Sequence, residues 1–225
     1  MIQYTLVRSR RKTAAIHITK DAAVEVRTPL KMPQADIDRF ISSKEKWIVQ
    51  HLAEIERRND QKSAFALHYG DTVALRGGEY PIRAQDGNRA GFDGLCFYMP
   101  PGLTPDGVKR AVIRIYKAVA KHVITDKVNE YATRMAVVPA AVRITSAKTR
   151  WGSCSGKNNI SFSWRLVMAD DSVIDYVVVH ELAHITQHNH SPRFWAIVAG
   201  VLPDYKVRKK KLKLLHEQLM AQDWD

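Results

Sequence analysis

The chain has two cysteines among its 225 residues, Cys96 and Cys154. Their separation fits no paired metal-binding or redox spacing, which excludes a disulfide scaffold and a cysteine zinc knuckle. Both read as free thiols of a reducing compartment. No apolar run approaches the roughly 20 residues that cross a bilayer. The opening MIQYTLVRSRRK places its charges after a short apolar stretch, the reverse of a signal peptide. A cytoplasmic address and no membrane partner are therefore expected. Acidic residues are scarce as well: 23 against 35 Lys and Arg, for a net charge of +12 and a pI of about 9.8. That surplus biases the surface toward anionic partners, DNA or another polyanion among them. A solvated lysine-rich surface is the plainer account.

What is present is enough apolar sequence for a real core, ordered in two styles. Residues 2–28 alternate as strands, with Val24 and Val26 on one face and Glu25 and Arg27 on the other. RSRRK (8–12) falls at a hairpin tip or strand edge, where charge discourages edge pairing. Pro29 and Pro33 end this pattern. Ile37, Phe40, Ile41, Trp47, Ile48, Leu52 and Ile55 then give helical spacing over 34–58. Residues 67–99 return to short strands with turns at Gly77-Gly78 and Asp86-Gly87, and Pro100-Pro101-Gly102 reads as a boundary. Thr104 and Pro105 open a helix that runs to about Met135. Residues 142–155 and 158–167 read as two strands around a turn at 156–158. Asp170-Asp171-Ser172, Ser191-Pro192 and Pro203-Asp204 each open a further helix.

The expected fold class is therefore α+β. A β-rich N-terminal lobe occupies residues 1–102, with one helix at 34–58. A helical half follows over residues 103–225, with a short β element before its HExxH helix. The last helix, YKVRKKKLKLLHEQL (205–219), is basic and amphipathic. Leu212, Leu215 and Leu219 are placed to pack, with Lys206, Arg208, Lys209, Lys210, Lys211 and Lys213 toward water.

Four of the nine histidines lie between residues 177 and 195, in VVVHELAHITQHNHSPRFW. His180 and His184 flank Glu181 in the pattern HExxH. Residues four apart share a helix face, so two imidazoles can reach one metal ion, with the glutamate beside it to act on a water. The plainer alternative is a core helix whose histidines are hydrogen-bonded. The apolar residues around the motif bury the helix, and unpaired polar groups there are costly unless a metal engages them. For a third ligand, His188 continues the row of His180 and His184, but the outer two would sit roughly 12 Å apart along the axis, which fits a tetrahedral ion poorly. His190 precedes the Ser191-Pro192 helix start and reaches back if the first helix ends near residues 187–189. The spacing HExxH-x5-H occurs in metzincins, with Gln187 where those have glycine. Asn189 is then the residue expected to turn left-handed. Geometry favours His190, and His188 suits a solvated helix end.

TRWGSCSGKNNISFSWRLVMADDSVIDYVVVHELAHITQHNHSPRFW (149–195) closely resembles the YgjP-like metal-dependent hydrolases, a zincin-type family related to SprT-like proteases. RWGSCS, IDYVVVHELAH and NHSPRFW carry the likeness. RSRRKTAAIHIT, VEVRTP and Lys46-Trp47-Ile48 extend it over most of the chain. MADD (168–171) departs from it, where a proline commonly precedes the helix. The resemblance implies a zincin-like metallopeptidase half, a zinc ion held by His180, His184 and His190, and Glu181 as general base. It names no physiological substrate, and its SprT-like relatives make DNA a reasonable partner.

The expected activity is zinc-dependent hydrolysis of a peptide bond, in which Glu181 deprotonates a water activated by Zn2+. The alternative is a basic nucleic-acid-binding protein with a structural zinc site. A structural site normally takes a fourth protein ligand, often cysteine, and none lies near residues 180–190. Tyr176, Arg150, Trp151 and Arg193 are placed either to line the cleft or to pack. Cys154 lacks an evident catalytic partner and reads as a small apolar residue.

Overall fold

The structure is a computed structural model that describes residues 2–224. Its contacts group the chain into two units. One runs through Phe65 and takes in Met220–Asp223; the other runs from Ala66 to Leu219 and takes in Trp224.

In the first unit, β1 (Thr5–Ser9), β2 (Ala15–Ile18) and β3 (Val24–Pro29) form a sheet of order β1-β3-β2. β3 lies parallel to β1 and antiparallel to β2, with Leu6 and Ile16 both opposite Val26. The alternation predicted for β3 holds: Val24, Val26 and Thr28 are buried, and Arg27 is exposed. α1 (Gln34–Ser63) carries Ile37, Ile41 and Ile48 on one face, and these form a core with Val24 and Val26. α1 runs past Arg58, where its sequence signal fades. No glycine or proline interrupts it, and Arg57 and Arg58 both pair with Glu54. Arg8 and Ser9 lie on β1, an edge strand, which is one of the two places expected for this basic stretch; Arg10–Lys12 then lead across to β2 on the far side of β3 and form no hairpin tip.

The second unit opens with β4 (Thr72–Leu75), β5 (Gly78–Ala84), β6 (Gly91–Phe92) and β7 (Phe97–Met99), in the order β4-β5-β7-β6. The long helix α2 (Pro105–Met135) comes next, with the Thr104 hydroxyl accepting from the Gly107 amide at 3.2 Å. Tyr116 of α2 explains why residues 66–102 group with the helical half of the chain. Its hydroxyl donates to the Ala74 carbonyl at 2.6 Å, and its ring meets Phe97, Trp164 and Trp224. The contacts thus part at 65/66, whereas Pro100-Pro101-Gly102 is only a turn within the second unit.

A second sheet positions the histidine helix. β8 (Ala141–Thr145) and β9 (Gly152–Cys154) flank β10 (Asn159–Ser163), which is parallel to β8 and antiparallel to β9. Residues 142–155 are therefore two strands on opposite sides of β10, not one. The loop between them is held where the Ser163 hydroxyl donates to the Ala147 carbonyl at 2.7 Å and Arg165 donates to the Ser146 carbonyl. The second strand expected over 158–167 ends at Ser163, and Trp164–Met168 is a buried 3-10 turn. Three helices complete the unit: α3 (Asp171–Thr186), α4 (Pro192–Val201) and α5 (Tyr205–Met220). Among the described residues no helix is long and apolar enough to cross a membrane.

Asp170 fixes the start of α3. Its carboxylate accepts from the Val173 amide at 3.1 Å and from Lys211 at 3.0 Å. Burial pushes this carboxyl up, but the hydrogen bonds from Ser172, Lys211 and Val173 outweigh it and hold it below the usual range. A carboxylate depressed in the folded state stabilises above its unfolded value of about 3.9 and loses that contribution as pH falls through the folded value. Asp170→Ala is expected to cost about 1–2 kcal/mol at neutral pH, read as a lower denaturation midpoint. The gap between variant and wild type should close below about pH 4.

Candidate metal centre

The apolar residues of α3 lie all round it. Val173, Ile174, Val177, Val178, Leu182 and Ala183 are buried, so the helix is held rigidly in the core. His180 and His184 emerge one turn apart near its C-terminal end. The helix stops at Thr186 because Gln187 turns extended, at φ −139° and ψ 99°. No left-handed residue makes this turn, and Asn189 is not among the positive-φ residues. Asn189 acts through its side chain instead. Its Oδ1 accepts from Gln187 Nε2 at 2.8 Å and from the Ser191 amide at 3.2 Å. An Asx-type side-chain bond does here what a glycine's free φ would otherwise do. Ser191 then caps α4, accepting from Phe194.

That reversal brings His190 onto the first two histidines. His190 Nε2 lies 3.1 Å from His180 Nε2, and the three rings are 4.7–5.0 Å apart, centre to centre. Among the described residues His180, His184 and His190 form a group whose nitrogens all lie within 4.8 Å of one another. His188 stands outside this group, exposed beyond the helix end. Phe194 floors the cluster, 4.5–4.9 Å from each imidazole, and Trp195 lies 5.8 Å from both His180 and His190.

The donor set fits a metal ion. Burial, then the facing His184, His190 and Lys209, push the His180 imidazole down to about 3, so it is neutral at physiological pH. Burial also lowers His184, against the opposing effect of its bond to the Gln187 carbonyl. That carbonyl is 3.1 Å from His184 Nδ1. A carbonyl accepts only, so Nδ1 carries the hydrogen and Nε2 keeps its lone pair. His180 Nδ1 is buried with no hydrogen-bond partner. The ring's Nε2 is the nitrogen that faces His190, so a metal held there would leave Nδ1 as the ring's N–H.

Glu181 is 6% exposed. Burial alone pushes its carboxyl up to about 7. It rests against β9, and Gly152 leaves the room it needs: a Cβ there would fall 2.6 Å from Glu181 Cγ and Oε1. Sequence spacing gives Gly152 no role, because the contact joins residues far apart in the chain. Gly152→Ala is expected to displace the carboxylate. Where Glu181 is the base expected from the sequence, a misplacement of about 1 Å costs on the order of 100-fold in rate, so steady-state kinetics should show a fall in kcat of that order while metal content stays at the wild-type level.

The other candidate residues separate clearly. Tyr176 is buried with its ring 5.8 Å from His180, and burial pushes its hydroxyl up to about 12, so it stays protonated. Trp151 is half-buried with its ring 6.2 Å from that of His216. Arg150 and Arg193 are exposed. Cys154 sits on β9, where burial and the Glu181 charge raise its thiol, the opposite of what activates a nucleophilic cysteine. Cys96 and Cys154 are both unpaired thiols.

A family model described as YgjP-like, metallopeptidase domain matches residues 12–214. No curated protein matches the chain. Among solved structures it is similar to two metallopeptidase zymogens. Abylysin of Pyrococcus abyssi is 23% identical with a TM-score of 0.38, over 43% of this chain and 94% of that one. Jannalysin of Methanocaldococcus jannaschii is 23% identical with a TM-score of 0.37, over 42% and 96%.

Proposed function

This chain belongs to the YgjP-like metallopeptidase family, and we propose that it is a zinc-dependent peptidase in which His180, His184 and His190 hold the metal and Glu181 moves the proton. The observation that carries this reading is the convergence of three imidazole nitrogens within 4.8 Å beside a buried glutamate. Imidazole ligands suit zinc. Three protein ligands without a fourth are the pattern of a catalytic site, whereas a structural site is closed. Among the described residues neither cysteine joins the group, which weighs against the structural-zinc alternative.

When bound, zinc acts as a Lewis acid toward a water and the scissile carbonyl. Glu181 takes a proton from the attacking water as its oxygen bonds to the carbonyl carbon. It returns that proton to the amine nitrogen as the C–N bond breaks. Burial favours the protonated carboxyl, which suits a group that takes up a proton and then gives it back. β9 is the outer strand of its sheet, and Gly152 brings its backbone against Glu181. An extended peptide added along that open edge passes the base. The two unpaired thiols suit action in a reducing compartment such as the cytoplasm.

The test pairs metal analysis with proteolysis. The purified chain is expected to carry one zinc and to cut an unfolded protein such as casein. A chelator should stop the reaction and added zinc restore it. Stoichiometric zinc without hydrolysis would favour the structural reading, and absence of zinc would remove both.

A further inference from the structure

α5 is less uniform than its sequence. Its spacing turns six cations toward water, but two of them are engaged. Arg208 binds Asp204 and the Ser172 carbonyl and reaches Asp175, with its side chain only 17% exposed, and Lys211 binds Asp170. Lys213 pairs loosely with Glu217 at 3.7 Å. Lys206, Lys209 and Lys210 have no carboxylate partner among the described residues, and all three line one groove.

That groove has a volume of about 750 Å³, a size that holds a small ligand or a few side chains. Trp151, Trp195, Tyr205 and Leu212 give it apolar walls, and no acidic residue lines it. It shares a wall with the histidine cluster. Trp195 stacks on Tyr205 at 5.3 Å and faces His190 at 5.8 Å, with the Lys209 ammonium 4.9 Å from its ring centre. Whatever occupies the groove therefore lies beside the reacting bond.

We propose that this groove is the specificity subsite of the enzyme and takes an acidic segment of the substrate, Asp or Glu side chains meeting Lys206, Lys209 and Lys210 while an apolar neighbour packs on Trp151 and Leu212. The proposal rests on the peptidase reading above. Charge complementarity selects the ligand: three ammonium groups without a carboxylate partner among the described residues, in a groove that no acidic residue lines, favour anions and repel basic segments. A single-stranded nucleic acid is the competing anion. Its affinity relies on successive open aromatic faces for its bases; Trp195 is already flanked by Tyr205, His190 and Lys209, which leaves Trp151 as the one tryptophan of the groove open to a base.

The zinc-loaded full chain is given matched fluorogenic peptides that differ only in Asp/Glu against Asn/Gln flanking the scissile bond. Wild type should favour the acidic peptide in kcat/KM by on the order of tenfold at low salt, since exposed ion pairs are individually weak and three act together. The preference should shrink as salt rises. In a Lys206→Ala/Lys209→Ala/Lys210→Ala variant the acidic-to-neutral ratio should fall to about one, and charge reversal to glutamate should invert it. Equal use of both peptides by wild type, or an unchanged ratio in the variants, overturns the proposal. A second arm separates this from failure of the peptidase reading. Fluorescence anisotropy with the labelled acidic peptide and metal-free protein reads binding alone, with oligodeoxythymidylate as competitor. Lysine-dependent capture of the acidic peptide supports the subsite even if no peptide is cut. Lysine-dependent binding that oligodeoxythymidylate wins outright overturns it in favour of nucleic acid.

Discussion

Substituting Glu181 by glutamine is expected to lower kcat by about 10²–10⁴-fold, the range that a positioned general base supplies, while the protein keeps its zinc. The amide has the shape of the carboxylate and sits in the same pocket against Gly152, so the three imidazoles need not move. It cannot accept the proton from the attacking water. Loss of zinc in this variant, or unchanged turnover, would remove Glu181 from the role. Stability gives an independent readout on the metal-free protein. Burial raises the folded Glu181 carboxyl to about 7, above its unfolded value of about 4.3. Such a group stabilises the fold fully below the unfolded value, and that contribution is lost as pH rises toward 7. Metal-free Glu181→Gln should therefore melt higher than metal-free wild type at pH 8, with the difference narrowing toward pH 4. A site that is costly to fold and gains from an inert replacement is one kept for chemistry.

The parts of this molecule that can be read from sequence are those decided within a few residues. Thr104, Asp170 and Ser191 each accept the backbone bond that their place before a helix implies, because a cap needs only its own first turn. The alternation of Val24 and Val26 and the spacing of Ile37, Ile41 and Ile48 are equally local. Pairing between distant segments is not legible. Residues 142–155 look like one strand until β10 is seen to lie between their two halves. The parting of contacts at 65/66 has no local signal of its own, since it depends on Tyr116 reaching back to Ala74 across Pro100-Pro101-Gly102. In α5, sequence shows only cations. Asp170, Asp175 and Asp204 divide them into engaged and unpaired sets, and those partners come from the helix start or from the α3 region. Gly152 is the same case within the site: its role exists only because Glu181 packs against it.

The sharpest contrast in the site is between two histidines two residues apart. His190→Ala should weaken zinc binding by more than about 100-fold, beyond the 10–100-fold that accompanies loss of a ligand's supporting partner, and activity should go with the metal. His188→Ala should change neither, because His188 is exposed and lies outside the group of converging nitrogens. Competition with a chromophoric chelator measures both. Asn189 should fall between them. Asn189→Ala removes the two bonds, from Gln187 Nε2 and the Ser191 amide, that turn the chain without a glycine. The imidazole of His190 remains, but its approach to His180 and His184 is no longer fixed. A partial loss of zinc affinity is expected, with activity recovered at high zinc. Full activity at ordinary zinc would show that the Ser191 cap and Pro192 alone place the third ligand. The order His188, Asn189, His190, from no effect to near-complete loss, reflects the way the loop is built. A bare cluster of histidines would give graded losses at all of them, with His188 among the losers.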